Sequence, residues 1–263
     1  MTICKNCTQE FEGKFCPKCG QKAKTGRITI RQVLNDARQH FIHFDQGFLY
    51  TMRELITRPG HSIREYIDGR RVKHIKPVKF MFWAAAINFL ILHFIGLDRE
   101  IIQKMAEQQP KNNAKANELG QKFGSFLMEH PSIMLFCMIP AIALCSWLLF
   151  RRRNYNYAEH FVLNAFLMGE VCIASVLTVP VSKFLNDVSS STAPVTLFGI
   201  GIWVVYFGWS YTQFFPSQKK FWVFFKGGLS IFLGYLMMIL FIGIAVILLV
   251  VIFRSQIEQW MAS

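Results

Sequence analysis

Four cysteines in the first nineteen residues, Cys4-x-x-Cys7 and Cys16-x-x-Cys19, are spaced to bring four thiolates to the corners of one metal ion. Each Cys-x-x-Cys turn supplies two ligands, and a closed four-sulfur shell leaves no position for a substrate. The chemistry expected is therefore structural, not catalytic. Zinc is the expected ion, with iron in the same cage as its rival, because tetrahedral sulfur sites suit both. Residues 1–24 hold few apolar side chains, chiefly Ile3, Phe11 and Phe15, so metal binding must supply most of their folding energy. Gly13, Pro17 and Gly20 suit the turns around the ligands, and Lys5, Lys14, Lys18 and Lys22 can offset the negative charge of a metal tetrathiolate. The opening residues are not the basic and then apolar run of a cleavable signal peptide. The thiols are accordingly expected in a reducing compartment, where a disulfide is disfavoured.

A second set of candidates lies in apolar surroundings. Glu170 stands near the middle of a long hydrophobic segment, where a carboxylate must be protonated, paired, or turned toward water or another helix. Glu159, Leu163, Phe166 and Glu170 share one helical face, His160 and Asn164 a neighbouring one, and Asn88 and His93 lie in an earlier segment. Such a polar line would pass protons or bind a cation. The plainer alternative is a neutral Glu170 bonded to Asn88 or a backbone carbonyl, joining two helices.

Five segments are apolar for about 20 residues, the length that crosses a hydrocarbon core. They fall at 77–97, 131–150, 160–181, 194–215 and 227–253. Composition thus divides the chain into a zinc ribbon (1–24), cytoplasmic amphipathic helices (25–76), a five-span bundle (77–253) and a short tail (254–263). The fold class expected is an all-α integral membrane helical bundle of about five transmembrane helices, with amphipathic surface helices and a small N-terminal zinc ribbon. Of the net charge of +13, residues 1–79 supply nine, with 16 Lys plus Arg against 7 acids. Arg151, Arg152 and Arg153 follow the second span and Lys219, Lys220 and Lys226 precede or open the fifth, whereas the loop near 182–193 carries only Lys183 and Asp187. Five crossings put every basic cluster on one side. By the positive-inside rule that side is the cytoplasm, with the N-terminus in and the C-terminus out. Ser230-x-x-x-Gly234 allows close helix contact, and Pro140 is expected to bend the second span.

Between ribbon and bundle, Thr29-x-x-Gln32 reads as a capping box, followed by Ile30, Val33, Leu34, Ala37 and Phe41 at helical spacing. Phe48, Leu49, Met52, Leu55 and Ile56 make the apolar face of a second helix, with Gln46, Arg53 and Glu54 turned away. Arg58-Pro59-Gly60 ends it, and Ser62-x-x-Glu65 caps a third that stops near Gly69. Arg70, Arg71, Lys73, Lys76 and Lys79 then lead into the first span as a basic membrane-surface run suited to anionic lipid head groups. These helices either lie on the inner leaflet or pack against the cytoplasmic ends of the spans.

Several of these residues together carry a resemblance: Cys16-Pro-Lys-Cys-Gly-Gln21, His43-Phe44-Asp45, Phe48-Leu49-Tyr50-Thr51, Leu55 with Arg58-Pro59-Gly60, and Glu65-Tyr66-Ile67-Asp68-Gly69-Arg70-Arg71 before Pro77. Over about residues 1–95 the chain resembles an uncharacterised bacterial family, a domain of unknown function, of zinc-ribbon multi-pass membrane proteins. The resemblance implies this architecture and a place in the bacterial inner membrane, and it implies no activity. The layout of a cytosolic N-terminal part and five spans is also similar to that of Yip1-like membrane proteins.

No HExxH, GxSxG or GxxxxGK pattern is present, so the chain is not expected to be an enzyme. His40, His43, His61 and His74, with Asp36 and Asp45 nearby, fall at no recognised ligand spacing and read as interfacial side chains. The basic ribbon raises nucleic-acid binding, but proximity to a membrane explains the same charge, so a nucleic-acid partner is not expected. Two function classes remain. One is an adaptor or sensor whose ribbon and surface helices dock a protein partner at the cytoplasmic face. The other is a small-solute or proton-coupled transport module using Glu170, its odd span count completed by homo-oligomerisation. Transport predicts an internal repeat and broken helices at mid-membrane depth, neither of which the sequence carries.

Overall fold

A computed structural model describes residues 1–38, 47–95, 131–188, 193–216 and 219–252. Two short strands, β1 (Thr2–Ile3) and β2 (Glu10–Phe11), pair antiparallel and open the ribbon. Helices follow at α1 (Ile30–Arg38), α2 (Gly47–Thr57), α3 (Pro59–Asp68), α4 (Pro77–Ile95), α5 (Pro131–Leu149), α6 (Tyr157–Val188), α7 (Ala193–Phe214) and α8 (Lys220–Ile252). The described residues are thus mostly helical, and the five long helices overlie the five apolar segments.

Local chemistry sets the element ends. The Gln32 N–H donates to Thr29 Oγ1 at 3.3 Å, the Thr29 half of the expected capping box. Asn156 and Glu159 form a complete one at the start of α6. The Glu159 N–H donates to Asn156 Oδ1 (2.9 Å) and the Asn156 N–H to Glu159 Oε2 (2.7 Å). Pro59 occupies the first turn of α3, where no amide hydrogen is needed. That helix therefore starts three residues before the expected Ser62 cap, and Ser62 is buried inside it. Gly69, at φ 118°, ends α3 as expected, its N–H reaching Glu65 O and Tyr66 O. Helix α6 continues to Val188, so Lys183 and Asp187 belong to a helix and not to a loop. Helix α8 begins at Lys220, two turns before the expected 227.

Successive long helices reverse direction. Gly169 of α6 lies against Phe80 and Met81 of α4, and Asn88 of α4 reaches Cys172 and Ser175, so α4 and α6 run parallel. Asn164 meets Tyr211 across α6 and α7, while Glu170 and Tyr206 line one cleft further along, an antiparallel pairing. Gly208 faces Phe224 and Gly228 faces Val204, which sets α8 antiparallel to α7. Gly234 meets Ile142 and Lys226 meets Leu149, which sets α8 antiparallel to α5 as well. Closeness at these crossings follows from the missing side chains: a Cβ on Gly234 would lie 2.8 Å from Ile142 Cα. Among the described residues, Tyr157–Leu177 and Lys220–Ile244 are long and apolar enough to cross a membrane, and shorter apolar stretches occupy Pro77–Ile91 and Cys137–Leu149.

Helices α1 to α3 pack on one end of this bundle, and one continuous core runs from Ile28 and Val33 through Phe48, Leu55, Ile63 and Tyr66 to Phe80, Phe166 and Tyr211. The faces of α2 differ from the expected ones. Phe48, Thr51 and Leu55 are buried, but Leu49 and Ile56 are exposed, and Glu54, expected to turn away, is half-buried against Arg58. The buried face is the one its neighbours take: Phe48 lies on Phe80 of α4, Thr51 receives the Ile75 N–H, and Leu55 O receives the Tyr206 hydroxyl of α7.

Candidate functional site

The two cysteine turns of the ribbon are built alike. Cys4 N–H donates to Gln9 O (2.9 Å) and Thr8 N–H to Cys4 O (2.9 Å); Cys16 N–H donates to Gln21 O (2.8 Å) and Gly20 N–H to Cys16 O (2.8 Å). The residue after each second cysteine, Thr8 or Gly20, takes the left-handed conformation that closes the turn. All four Sγ atoms lie within 4.8 Å of one another, and Cys4–Cys19 and Cys7–Cys16 are each 3.5 Å apart. A tetrahedron with metal–sulfur bonds of about 2.3 Å has edges of about 3.8 Å. The four donors therefore fit one metal ion. Burial pushes the Cys4 thiol up, but the N–H groups of Cys7 and Asn6 outweigh it and bring it down to about 6. Cys7 is drawn down by the Gln9 N–H, yet burial and the sulfurs of Cys16, Cys19 and Cys4 push it up to about 12. Four sulfurs this close cannot all ionise without a cation among them. Of the three expected core residues only Phe11 is buried, while Ile3 and Phe15 are exposed.

Polar bonds fasten the ribbon and its linker to the helices. Gln21 Nε2, buried, donates to Gly69 O at 2.9 Å, and Lys5 Nζ to Thr25 O at 3.0 Å. Gly69 is required there by its φ of 118°, and a Cβ on it would also press on Lys5 Cδ at 2.8 Å and Thr25 Oγ1 at 3.1 Å, side-chain atoms that can give way. Arg71 donates to Tyr66 O (3.0 Å) and Gly26 O (3.1 Å). Arg27 grips Glu159 with two bonds, 2.9 and 3.0 Å, and also donates to Asn154 O, while Asn156 Nδ2 holds Ile28 O at 2.9 Å. Sequence reasoning missed Gln21, Arg27 and Asn156; only the Asn156-x-x-Glu159 cap had a local signal.

The expected polar line along α6 divides into separate contacts. Glu159 belongs to the linker through Arg27. His160 Nδ1 and Asn164 Nδ2 meet Ser146 Oγ of α5 (2.9 and 3.2 Å), and the Tyr211 hydroxyl of α7 donates to Asn164 Oδ1 (3.0 Å). This buried network joins three helices. The expected Glu170–Asn88 bond is not made: Asn88 Nδ2 donates to Cys172 O and Ser175 Oγ, each at 2.6 Å. Glu170 is buried, and its Oε2 has no hydrogen-bond partner among the described residues. It lines a cleft of ≈ 280 Å³ with Ile56, Ser175, Trp203 and Tyr206.

The basic run is mostly engaged within the chain. Lys76 pairs with Asp36 (2.6 Å), Arg71 is held as above, Lys79 is buried, and Arg70 lies 3.9 Å from Glu65. Lys73 is exposed, with its ammonium 5.8 Å from the Tyr50 ring centre. His61 is exposed and His74 half-buried between the rings of Tyr50 and Tyr66. Burial, opposed by Glu54 and Glu65 and aided by Arg58 and Lys73, holds His74 down at about 4. His40, His43 and Asp45 lie outside the described residues. Among the described residues, the cysteine quartet is the one cluster of ligating side chains fit for a metal.

Helices α2 and α3 are locked by one arginine. Arg58 pairs with Glu54 (2.6 Å) across α2 and with Glu65 (2.8 Å) across α3. Burial pushes the Glu65 carboxyl up, but Arg58 and then Arg70 hold it below its ordinary range. Gly60 lets the α3 backbone touch α7, since a Cβ there would fall on Ser210 O and Phe214 N, and Gly60 N–H donates to Gln213 Oε1 (3.2 Å). Arg64 Nε donates to Phe214 O at 2.8 Å, Tyr206 OH to Leu55 O at 3.1 Å, and Ile75 N–H to Thr51 Oγ1 at 3.1 Å. Residues 45–89 match the family described as a protein of unknown function, DUF3667. The DUF3667 segment thus holds the frame of α2, α3 and the first two thirds of α4, and the resemblance to an uncharacterised family is met there. The ribbon and the later helices lie outside the match. No curated protein and no solved structure matches the chain.

Proposed function

We propose that this chain is a multi-pass protein of the bacterial inner membrane whose cytoplasmic zinc ribbon and surface helices form a docking platform for a protein partner. Helices α4 to α8 are the five crossings, with the N-terminus inside. The observation that carries this reading is the alternation of direction along the five apolar helices. It gathers the ribbon, Arg27, Arg151 to Arg153 and Lys219 at one end of the bundle, where the positive-inside rule puts the cytoplasm. Zinc is the resident ion of this reading, held by Cys4, Cys7, Cys16 and Cys19 in the reducing compartment. The ribbon is fastened by polar bonds, the Gln21–Gly69 one buried, so a partner on it feels the helices beneath. Its exposed Ile3 and Phe15 supply apolar surface to dock on. No chemical step is assigned to the chain.

Two measurements test the reading. Impermeant thiol labelling of single introduced cysteines in cells should modify positions in the α4–α5 connection from outside, and leave Arg152→Cys unmodified. Quantitative co-purification from mildly solubilised membranes should show a partner lost from a Cys16→Ser, Cys19→Ser variant of matched abundance. A transport reading is favoured by the unpartnered Glu170 carboxyl in its cleft. Glu170→Gln decides between them: loss of function with unchanged insertion and unchanged partner recovery supports transport.

A further inference from the structure

The groove between the end of α5 and the start of α8 stands apart from the ribbon and from Glu170. It has a volume of ≈ 720 Å³ and is lined by Arg151, Arg152, Arg153, Lys219, Lys226 and Trp222, with no acidic side chain in its wall. Among the described residues, no carboxylate pairs with any of the three arginines. Lys226 is held at the groove by Leu149 O at 3.5 Å, with its ammonium 5.9 Å from the Phe150 ring centre. Three successive arginines with no carboxylate on them, facing the ammonium of Lys226 across the groove, repel one another unless an anion lies among them.

The apolar side of the groove tells which anion. Leu148 and Trp222, both in its wall, are more than half exposed, and Phe225, Phe232, Leu236 and Leu240 continue an exposed apolar track down α8 at helical spacing. A soluble anion would satisfy the charge and leave the track unused. A phospholipid satisfies both, its phosphate among the arginines and its acyl chains along α8. Trp222 sits where an amphipathic ring is favoured, at the level of the head groups.

We propose that this groove binds the head group of an anionic phospholipid. The inference rests on the bundle standing in a membrane. The test uses the purified full chain in detergent, with native mass spectrometry counting bound phosphatidylglycerol against phosphatidylcholine in competition. Wild type is expected to prefer phosphatidylglycerol by at least about tenfold, and Arg151→Gln, Arg152→Gln, Arg153→Gln to reduce that preference to within about twofold. A control losing the same charge elsewhere, Lys24→Gln, Arg31→Gln, Arg53→Gln, should keep it. Where the triple groove variant loses thermal stability, Arg152→Gln with Lys219→Gln is read the same way. No preference in wild type, an unchanged preference in the groove variants, or equal displacement by millimolar inorganic phosphate overturns the proposal; the last would mark a soluble-anion site. A chain that stays monodisperse without detergent would overturn the membrane reading instead.

Discussion

Cys16 and Cys19 close the second of two matched turns, and serine cannot replace a thiolate in a four-sulfur shell. Elemental analysis of the purified chain should find one metal ion per polypeptide and none in the Cys16→Ser, Cys19→Ser variant. Chelation should expose residues 1–24 to protease while α4 to α8 stay resistant, because the ribbon buries little beyond Phe11 and its own sulfurs. Acid acts at a different residue. His74 is neutral in the fold, with its pKa lowered from 6.5 to about 4, so the unfolded chain binds the extra proton. Its contribution is whole above pH 6.5 and drains away as pH falls toward 4, with a loss of about 2 kcal/mol by pH 5. Glu65, held below its ordinary range by Arg58 once burial is overcome, adds a loss at still lower pH. Thermal unfolding followed from pH 7.5 to 5 should show a falling Tm in the wild type and a flatter profile in His74→Phe.

At the scale of elements, glycines set how closely a helix approaches its neighbours, and Gly60, Gly234 and Gly69 test this at three different contacts. Gly60→Ala puts a methyl onto the α7 backbone, which cannot retreat without losing the Arg64–Phe214 bond. Overpacking of this kind costs about 1–3 kcal/mol, and it should appear as a lowered Tm and as protease cleavage between α2 and α3. Gly234→Ala meets the α5 backbone at Ile142 and should cost a similar amount, read by the same thermal assay. Gly69→Ala combines a positive φ with a clash on Lys5, so it should free the ribbon before it unfolds the bundle. The Arg58-Pro59-Gly60 run was legible as a helix boundary. Its second meaning, a backbone contact to a residue more than 140 positions away, was not, because the partner surface exists only once α7 is in place.

For the whole molecule, ribbon and bundle behave as one unit through Arg27 and Glu159. Arg27→Gln should leave metal content and insertion unchanged, yet speed proteolysis of the 22–29 linker several-fold, since a buried Glu159 then lacks its cation. Sequence alone determined the pairing of the four cysteines into one cluster, the five apolar helices and their basic flanks, the stop at Gly69 and the cap at Thr29. Those signals are local, written in spacing, composition and backbone preference over a few residues. The tertiary structure decided which polar side chains meet. It separated Glu159 from Glu170, gave Asn88 to Cys172 and Ser175, drew Glu54 onto Arg58, buried Ser62, and left Leu49 and Ile56 outside. A helical face tells which residues point together, but what they point at depends on neighbours distant in sequence. At a crossing only a few ångströms wide, the side chain with the shortest path to a partner takes it.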